Sequence, residues 1–260
     1  DMAAVLARRP PGGWGSGVRP QRTPGLVLIT ANVVLGDLTA PELDALAEVA
    51  TYGDGHLWLT RNQNVQYRDV DVGDVPAVRG ALEVVGLGVE SADSSVDVRA
   101  CTGSAVCALA ITAAPRAGAR IADGPTLGRN GGLRVHVSGC PNSCAQHQAA
   151  DVGLAGAKVR IGGATQLGYT LFAGADIASG RLGRVLGRVA EDDADEAVAA
   201  VIGTWEAVRH PAERLADTLE RVGVDAFATQ VAAVAGRFEA GDEPDLIPSP
   251  VTANDPAHAA

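Results

Sequence analysis

All four cysteines of the chain fall in two tight pairs: Cys101 and Cys107 in ACTGSAVC, then Cys140 and Cys144 in GCPNSC, with 32 residues between the pairs. Any fold built on this sequence has to place those two loops, and the question is what they hold. Disulfides suit small secreted chains without a core, whereas 260 residues are enough to fold without staples. Zinc knuckles separate paired ligands by about two to four residues, so the second pair fits and the five-residue gap of the first does not. A 4Fe-4S cluster needs thiolates spread around a cube several ångströms wide, which suits wider spacing and a chain that folds back between ligands. The spacing predicts Cys101 at a strand end and Cys107 in the first turn of the next helix, where the helix dipole and free N–H groups favour thiolate charge. Cys140 and Cys144 are expected to repeat that arrangement. Gly139 and Pro141 permit a sharp turn off a strand, and Asn142 and Ser143 can cap the next helical turn while donating hydrogen bonds toward sulfur.

Around these loops the patterning is α+β. Residues 1–24, with RRPPGGWGSGVRPQRTPG, read as a linker. From there to residue 95 come a strand (LVLITANVV), a helix opened by Thr39, Pro41 and Glu42 with Leu43, Leu46, Ala47 and Ala50 on one face, two short strands (HLWLT and NVQYRDV), and a helix from Asp74 ending at Gly86. Residues 96–238 form a second unit: strands at VDVRA and LRVHVS, a helix from about Ser104, strands near 152–160 and 169–174, and a closing helical block. EDDADE at 191–196 reads as a solvated helix start, because it lacks the glycine and ligand spacing of a calcium loop. Residues 239–260 are Pro-rich without an apolar face and are expected to be disordered. The chain opens Asp1, Met2, which suggests a fragment or a processed piece.

The formal charge is −10, from 21 basic and 31 acidic residues, which argues against nucleic acid or an anionic membrane as a partner. With neither an apolar span nor a leader, a cytoplasmic location is expected. Lys158 is the single lysine, so any anion site must be local and built from arginine forks; Arg61, Arg99, Arg129 and Arg134 lie near the motifs. In LRVHVSGC, Arg134, His136 and Ser138 alternate onto one face, so a polar strip would run down to Cys140; a solvated strand face has the same pattern. His147 reads as a surface or capping residue more readily than as a proton donor, and Asp151 as a pin for the next strand.

ACTGSAVC followed by VSGCPNSCAQHQAADVGLAG resembles the cluster signature of the siroheme- and 4Fe-4S-dependent sulfite and nitrite reductases. LWLTRNQNVQY is similar to the T-x-x-Q-N segment of the second half of those enzymes, and GVRPQ, PGLVLI and GYTLFAGA are placed as in that family; the likeness covers roughly residues 17–235. The resemblance implies a ferredoxin-like half-domain followed by an α/β domain that binds a 4Fe-4S cluster and siroheme. It implies that Cys101, Cys107, Cys140 and Cys144 bind the cluster and that Cys144 also bridges to the siroheme iron. It further implies six-electron reduction of sulfite to sulfide or nitrite to ammonia, electrons from ferredoxin or a flavoprotein, and completion of the site by the N-terminal half of the enzyme. Thr60, Gln63 and Asn64, with Arg61, Arg134, His136 and Asn142, are the expected cofactor contacts. For Thr60, Gln63 and Asn64 a plain turn between two strands is the competing reading. A precorrin-3B synthase-like monooxygenase, a non-catalytic 4Fe-4S electron-transfer module and a zinc-stabilised domain are the alternatives; GCPNSC with the NQN segment favours the reductase over the first.

Overall fold

The computed structural model describes residues 17–89, 98–124 and 133–241. The tail from 242 and Arg129 therefore lie outside the described residues.

The first unit is a four-stranded antiparallel sheet in the order β1-β2-β4-β3, formed by β1 (Val18–Pro20), β2 (Leu26–Ala31), β3 (Trp58–Leu59) and β4 (Val65–Asp71). Helices α1 (Ala40–Val49) and α2 (Val75–Val84) pack on it. The expected linker over 1–24 is thus too long: Val18–Pro20 pairs with Val27–Ile29, and Val18 is buried. Pro20 is tolerated because β1 is the edge strand. Helix α1 starts as expected, with the Glu42 carboxylate accepting from the Thr39 N–H and hydroxyl, both at 2.6 Å. Its buried face, however, is Leu46, Val49 and Ala50, whereas Leu43 and Ala47 are exposed. The core of this unit includes Val27, Ile29, Leu46, Tyr67, Val78 and Leu82.

The second unit is a six-stranded mixed sheet in the order β10-β9-β8-β7-β6-β5, formed by β5 (Arg99–Ala100), β6 (Val135–Ser138), β7 (Val152–Ile161), β8 (Ala164–Ala173), β9 (Arg184–Ala190) and β10 (Phe238–Ala240). Strands β5, β6 and β7 run parallel and the rest antiparallel. The long β7–β8 hairpin closes through Gly162 and Gly163, both at positive φ, the backbone a two-residue turn demands. Helices α3 (Ala114–Asp123), α4 (Ala194–Val208), α5 (Leu215–Val222) and α6 (Val224–Val234) supply the core partners of the sheet, among them Ile121, Ile202, Trp205, Leu219 and Phe227.

Three expectations change here. No helix begins at Ser104: a 3-10 turn at Gly103–Ala105 is followed by irregular chain, and α3 starts at Ala114. The competing solvated reading of the polar face of β6 fails, because the chain after Cys144 folds over it: the Ala145 N–H donates to Ser138 Oγ at 3.3 Å and His136 Nδ1 lies 3.2 Å from Gln146 O, and His136 and Ser138 are 2% and 1% exposed. Residues 239 and 240, expected in a disordered tail, are strand instead, since Phe238–Ala240 pairs with Gly187–Val189. Among the described residues no helix is long and apolar enough to cross a membrane.

Candidate functional site

The two cysteine loops meet at one end of the six-stranded sheet, each leaving a parallel strand. Cys101 follows β5 directly and its N–H donates to Val137 O at 3.0 Å, so it sits at a strand end as the spacing predicts. Cys107 is not in a helix: its N–H donates to Gly103 O within the turn, seven residues before α3. Cys140 and Cys144 likewise sit in a turn after β6, ahead of a short 3-10 turn at His147–Ala149.

Gly139 locks the two loops together. Its carbonyl accepts the N–H groups of Ile111 at 2.7 Å and Thr112 at 3.1 Å, while its own N–H donates to Cys101 Sγ at 3.0 Å. A side chain would not fit: a Cβ at Gly139 would lie 2.9 Å from Thr112 O and 3.1 Å from Gly103 Cα. At Gly156, beneath it on β7, a Cβ would lie 2.3 Å from Gly139 O. The second loop is held in uncommon backbone, with φ of 59° at Ser143 and 58° at Gln146, a strain that persists only where the surroundings fix it.

All four cysteines are unpaired and line one cavity of about 310 Å³. Cys140 is buried, Cys101 and Cys107 are half-buried, and Cys144 is exposed at the rim. Arg61, Gln63, Arg99, Leu109, Asn142 and Gln146 share the lining. Among the described residues no three His, Cys, Asp or Glu side chains converge tightly enough to hold a single metal ion.

The structure brings Arg61, Gln63 and Asn142 to this cavity and leaves Thr60, Asn64, Arg134 and His136 out of its lining. Thr60 Oγ1 accepts from the N–H groups of Asn62 at 3.2 Å and Asn64 at 3.0 Å, closing the turn from within. Asn64 is buried, with its Oδ1 taken by the Val33 N–H at 2.9 Å. Arg134 donates through Nε to Asp151 at 2.9 Å and lines a different cavity, of about 360 Å³, with Asp176, Trp205, Arg209 and Arg214. Asp151 also accepts the Arg134 N–H at 2.8 Å and so pins the start of β6. His136 lies behind the cavity, its Nδ1 3.2 Å from Gln146 O; burial, aided by the Arg99 guanidinium, pushes its pKa down to about 4. His147 is buried against Phe172, with ring centroids 5.0 Å apart, and burial lowers its pKa to about 4.

Gln146, Leu109 and Ala110 line the cavity without a signal in the sequence beyond their closeness to a cysteine. The acidic run at 191–196 is not simply solvated. Glu191 accepts the Ala113 N–H at 3.0 Å, capping α3 from outside, and Asp195 pairs with Arg120 at 3.0 Å.

The sequence model of the nitrite/sulfite reductase ferredoxin-like half domain matches residues 19–85, and that of the nitrite and sulphite reductase 4Fe-4S domain matches residues 91–237. The ferredoxin–nitrite reductase of Synechococcus elongatus is 35% identical over 164 residues, covering 62% of this chain and 32% of that protein. The sulfite reductase [NADPH] hemoprotein beta-component of Afipia carboxidovorans is 29% identical over 192 residues, covering 70% of this chain and 32% of that protein. The chain thus spans about a third of the length of these relatives. The Mycobacterium tuberculosis NirA protein superposes with a TM-score of 0.71 at 22% identity, over 84% of this chain and 42% of that one, which shows a shared fold. With its ferredoxin-like half-domain followed by the 4Fe-4S domain, the chain belongs to the nitrite and sulphite reductase family.

Proposed function

We propose that this chain is the cysteine-bearing half of a siroheme-dependent sulfite or nitrite reductase, in which Cys101, Cys107, Cys140 and Cys144 hold a 4Fe-4S cluster and Cys144 also meets the siroheme iron. The observation that carries this reading is the convergence of four unpaired thiols, from loops 32 residues apart in sequence, on one cavity wall. When bound, the two groups supply single electrons for the six-electron reduction of sulfite to sulfide or of nitrite to ammonia. Cys144 suits the bridging position because it is exposed at the rim, where a second group can reach its sulfur. The Gly139 N–H would donate to the Cys101 sulfur of a bound cluster, a contact that would favour its reduced state. Arg61 and Arg99 give the cavity a cationic side for the carboxylates of a tetrapyrrole, despite the overall charge of −10, and Asn142 adds a polar group. Leu109 and Ala110 add apolar side chains to the lining, Leu109 at its solvent-exposed mouth.

His136 and His147 are buried, neutral and outside the cavity lining, so we assign proton delivery to neither. The remaining cover would come from the N-terminal half of the enzyme, since this chain spans about a third of its relatives. One of those relatives is named for ferredoxin and the other for NADPH, and a ferredoxin or a flavoprotein is the proposed electron donor. A cytoplasmic location goes with this reading.

The test is expression in a siroheme-producing host, purification without oxygen, and an absorption spectrum read beside iron, acid-labile sulfide and zinc content. Siroheme bands with cluster iron and sulfide are expected. A colourless protein carrying one equivalent of zinc would overturn the reading. Cluster iron without tetrapyrrole bands, even after co-expression with an N-terminal half, would make the chain an electron-transfer module.

A further inference from the structure

We propose that Gln63 is a positioning residue for Cys101, through which a turn of the first unit holds the edge of the cysteine site in the second. Strand β5 is two residues long and forms the edge of the six-stranded sheet, so its outward carbonyl has no strand partner there. Gln63 supplies one: its Nε2 donates to Ala100 O at 2.7 Å, across 37 positions of sequence, at the residue immediately before Cys101. Cys101 is held from within its own unit by the Val137 carbonyl and the Gly139 N–H. Gln63 adds the hold from outside.

The turn that presents Gln63 is itself fixed. Gln63 has φ of 65°, a left-handed conformation that a residue with a side chain adopts at a cost and keeps where its surroundings over-determine it. Those surroundings are the Thr60 carbonyl, which accepts the Gln63 N–H at 3.2 Å, and Gly36, where a Cβ would come within 3.1 Å of the Gln63 Cβ. The other amide atom, Oε1, is buried without a hydrogen-bond partner, a cost the site bears to keep Nε2 on Ala100. Gln63 also lines the cavity beside Cys101, so a shift of this side chain reaches the thiol directly.

The cluster arm of the test rests on the proposed function, and the thiol arm does not. In the metal-free 260-residue chain, alkylation of Cys101 and Cys144 by iodoacetamide is followed by mass spectrometry for the parent, Gln63→Leu, Gln63→Glu and Gln66→Leu. Gln63→Glu keeps the shape and removes the donor. Gln66→Leu breaks a comparable bond within the first unit, Nε2 to Thr30 Oγ1 at 3.2 Å, and serves as the control. Gln63→Leu should alkylate Cys101 about fivefold faster, the factor one neutral hydrogen bond carries, and Gln63→Glu by less because its carboxylate disfavours the thiolate, with Cys144 unchanged and the melting temperature lowered no further than in Gln66→Leu. After anaerobic reconstitution with iron and sulfide, both Gln63 variants should lose the cluster to a chelator faster and shift its reduction potential, while Gln66→Leu should not. If the parent takes up no cluster, the cluster reading fails and the alkylation ratio still decides the role of Gln63. Parent-like Cys101 rates in both Gln63 variants, or an equal rise in Gln66→Leu, would overturn the proposal.

Discussion

Gly139 has no side chain and yet ties both cysteine loops, through a carbonyl that accepts from Ile111 and Thr112 and an N–H aimed at Cys101 Sγ. Gly139→Ala forces a methyl group to within 2.9 Å of Thr112 O and 3.1 Å of Ala110 Cβ. The expected cost is about 1–3 kcal/mol, the range for overpacking a tight site, read from urea unfolding at neutral pH. A variant as stable as the parent would mean that the loops part easily. The two buried histidines set a different dependence. Each has a folded pKa of about 4, below the value near 6.5 expected for an unfolded histidine, so the unfolded chain binds more protons between those values. Their contribution is complete above pH 6.5 and is lost as pH falls through that window, by about 2 kcal/mol each at pH 5. His147→Leu keeps the apolar contact with Phe172 and should roughly halve the slope of stability against pH between 7 and 5; an unchanged slope would count against a buried neutral His147.

At the scale of elements, α3 carries the load of the first cysteine loop. It begins at Ala114, shortly after Cys107, and no side chain of its own caps it; Glu191 does so from the start of α4, by accepting the Ala113 N–H. Arg120 near its far end donates to Glu191 O and pairs with Asp195. Glu191→Ala should therefore cost about 1 kcal/mol, the usual worth of a cap, and quicken alkylation of Cys107 more than that of Cys140. Equal effects on both thiols would show that the helix does not steady that loop. None of this was legible along the chain, because the cap comes from 78 positions away. The strands with alternating apolar residues and the capped start of α1 were legible, since their signals are local. Strand β9 carries no clear local signal: Arg184, Gly187 and Arg188 interrupt its apolar run, and the register slips opposite Leu171 and Phe172. The helix expected at Ser104 failed for the opposite reason, a good local start overruled when the Thr112 carbonyl takes the Ser104 N–H and Gly139 takes the amides of Ile111 and Thr112. In the candidate site, cysteine spacing carried the information. The roles of Thr60 and Asn64 depended on where a five-residue turn faces, which period and composition do not encode.

On the scale of the whole molecule, the apolar surface beside the cysteine cavity is left in solvent. Val106 and Leu109 flank Cys107 and are 80% and 72% exposed; Leu59, beside the turn that presents Gln63, is 84% exposed. Exposed apolar side chains are common one at a time, but three on the segments that border a single cavity amount to a patch that a partner surface would cover. Under the proposed function, the cover is the N-terminal half of the enzyme. Val106→Asp and Leu109→Asp remove no buried contact, and each should change the stability of this chain by less than about 0.5 kcal/mol. Each should nonetheless reduce recovery of a co-expressed N-terminal half on an affinity tag carried by this chain, because burying a carboxylate against an apolar partner costs more than the contact returns. A charge on a remote exposed residue, Val234→Asp on α6, controls for solubility alone. Loss of recovery with Val106→Asp and Leu109→Asp but not with Val234→Asp would locate the joint at the cysteine cavity. Equal recovery in all three would place the joint elsewhere and leave the cavity open to solvent.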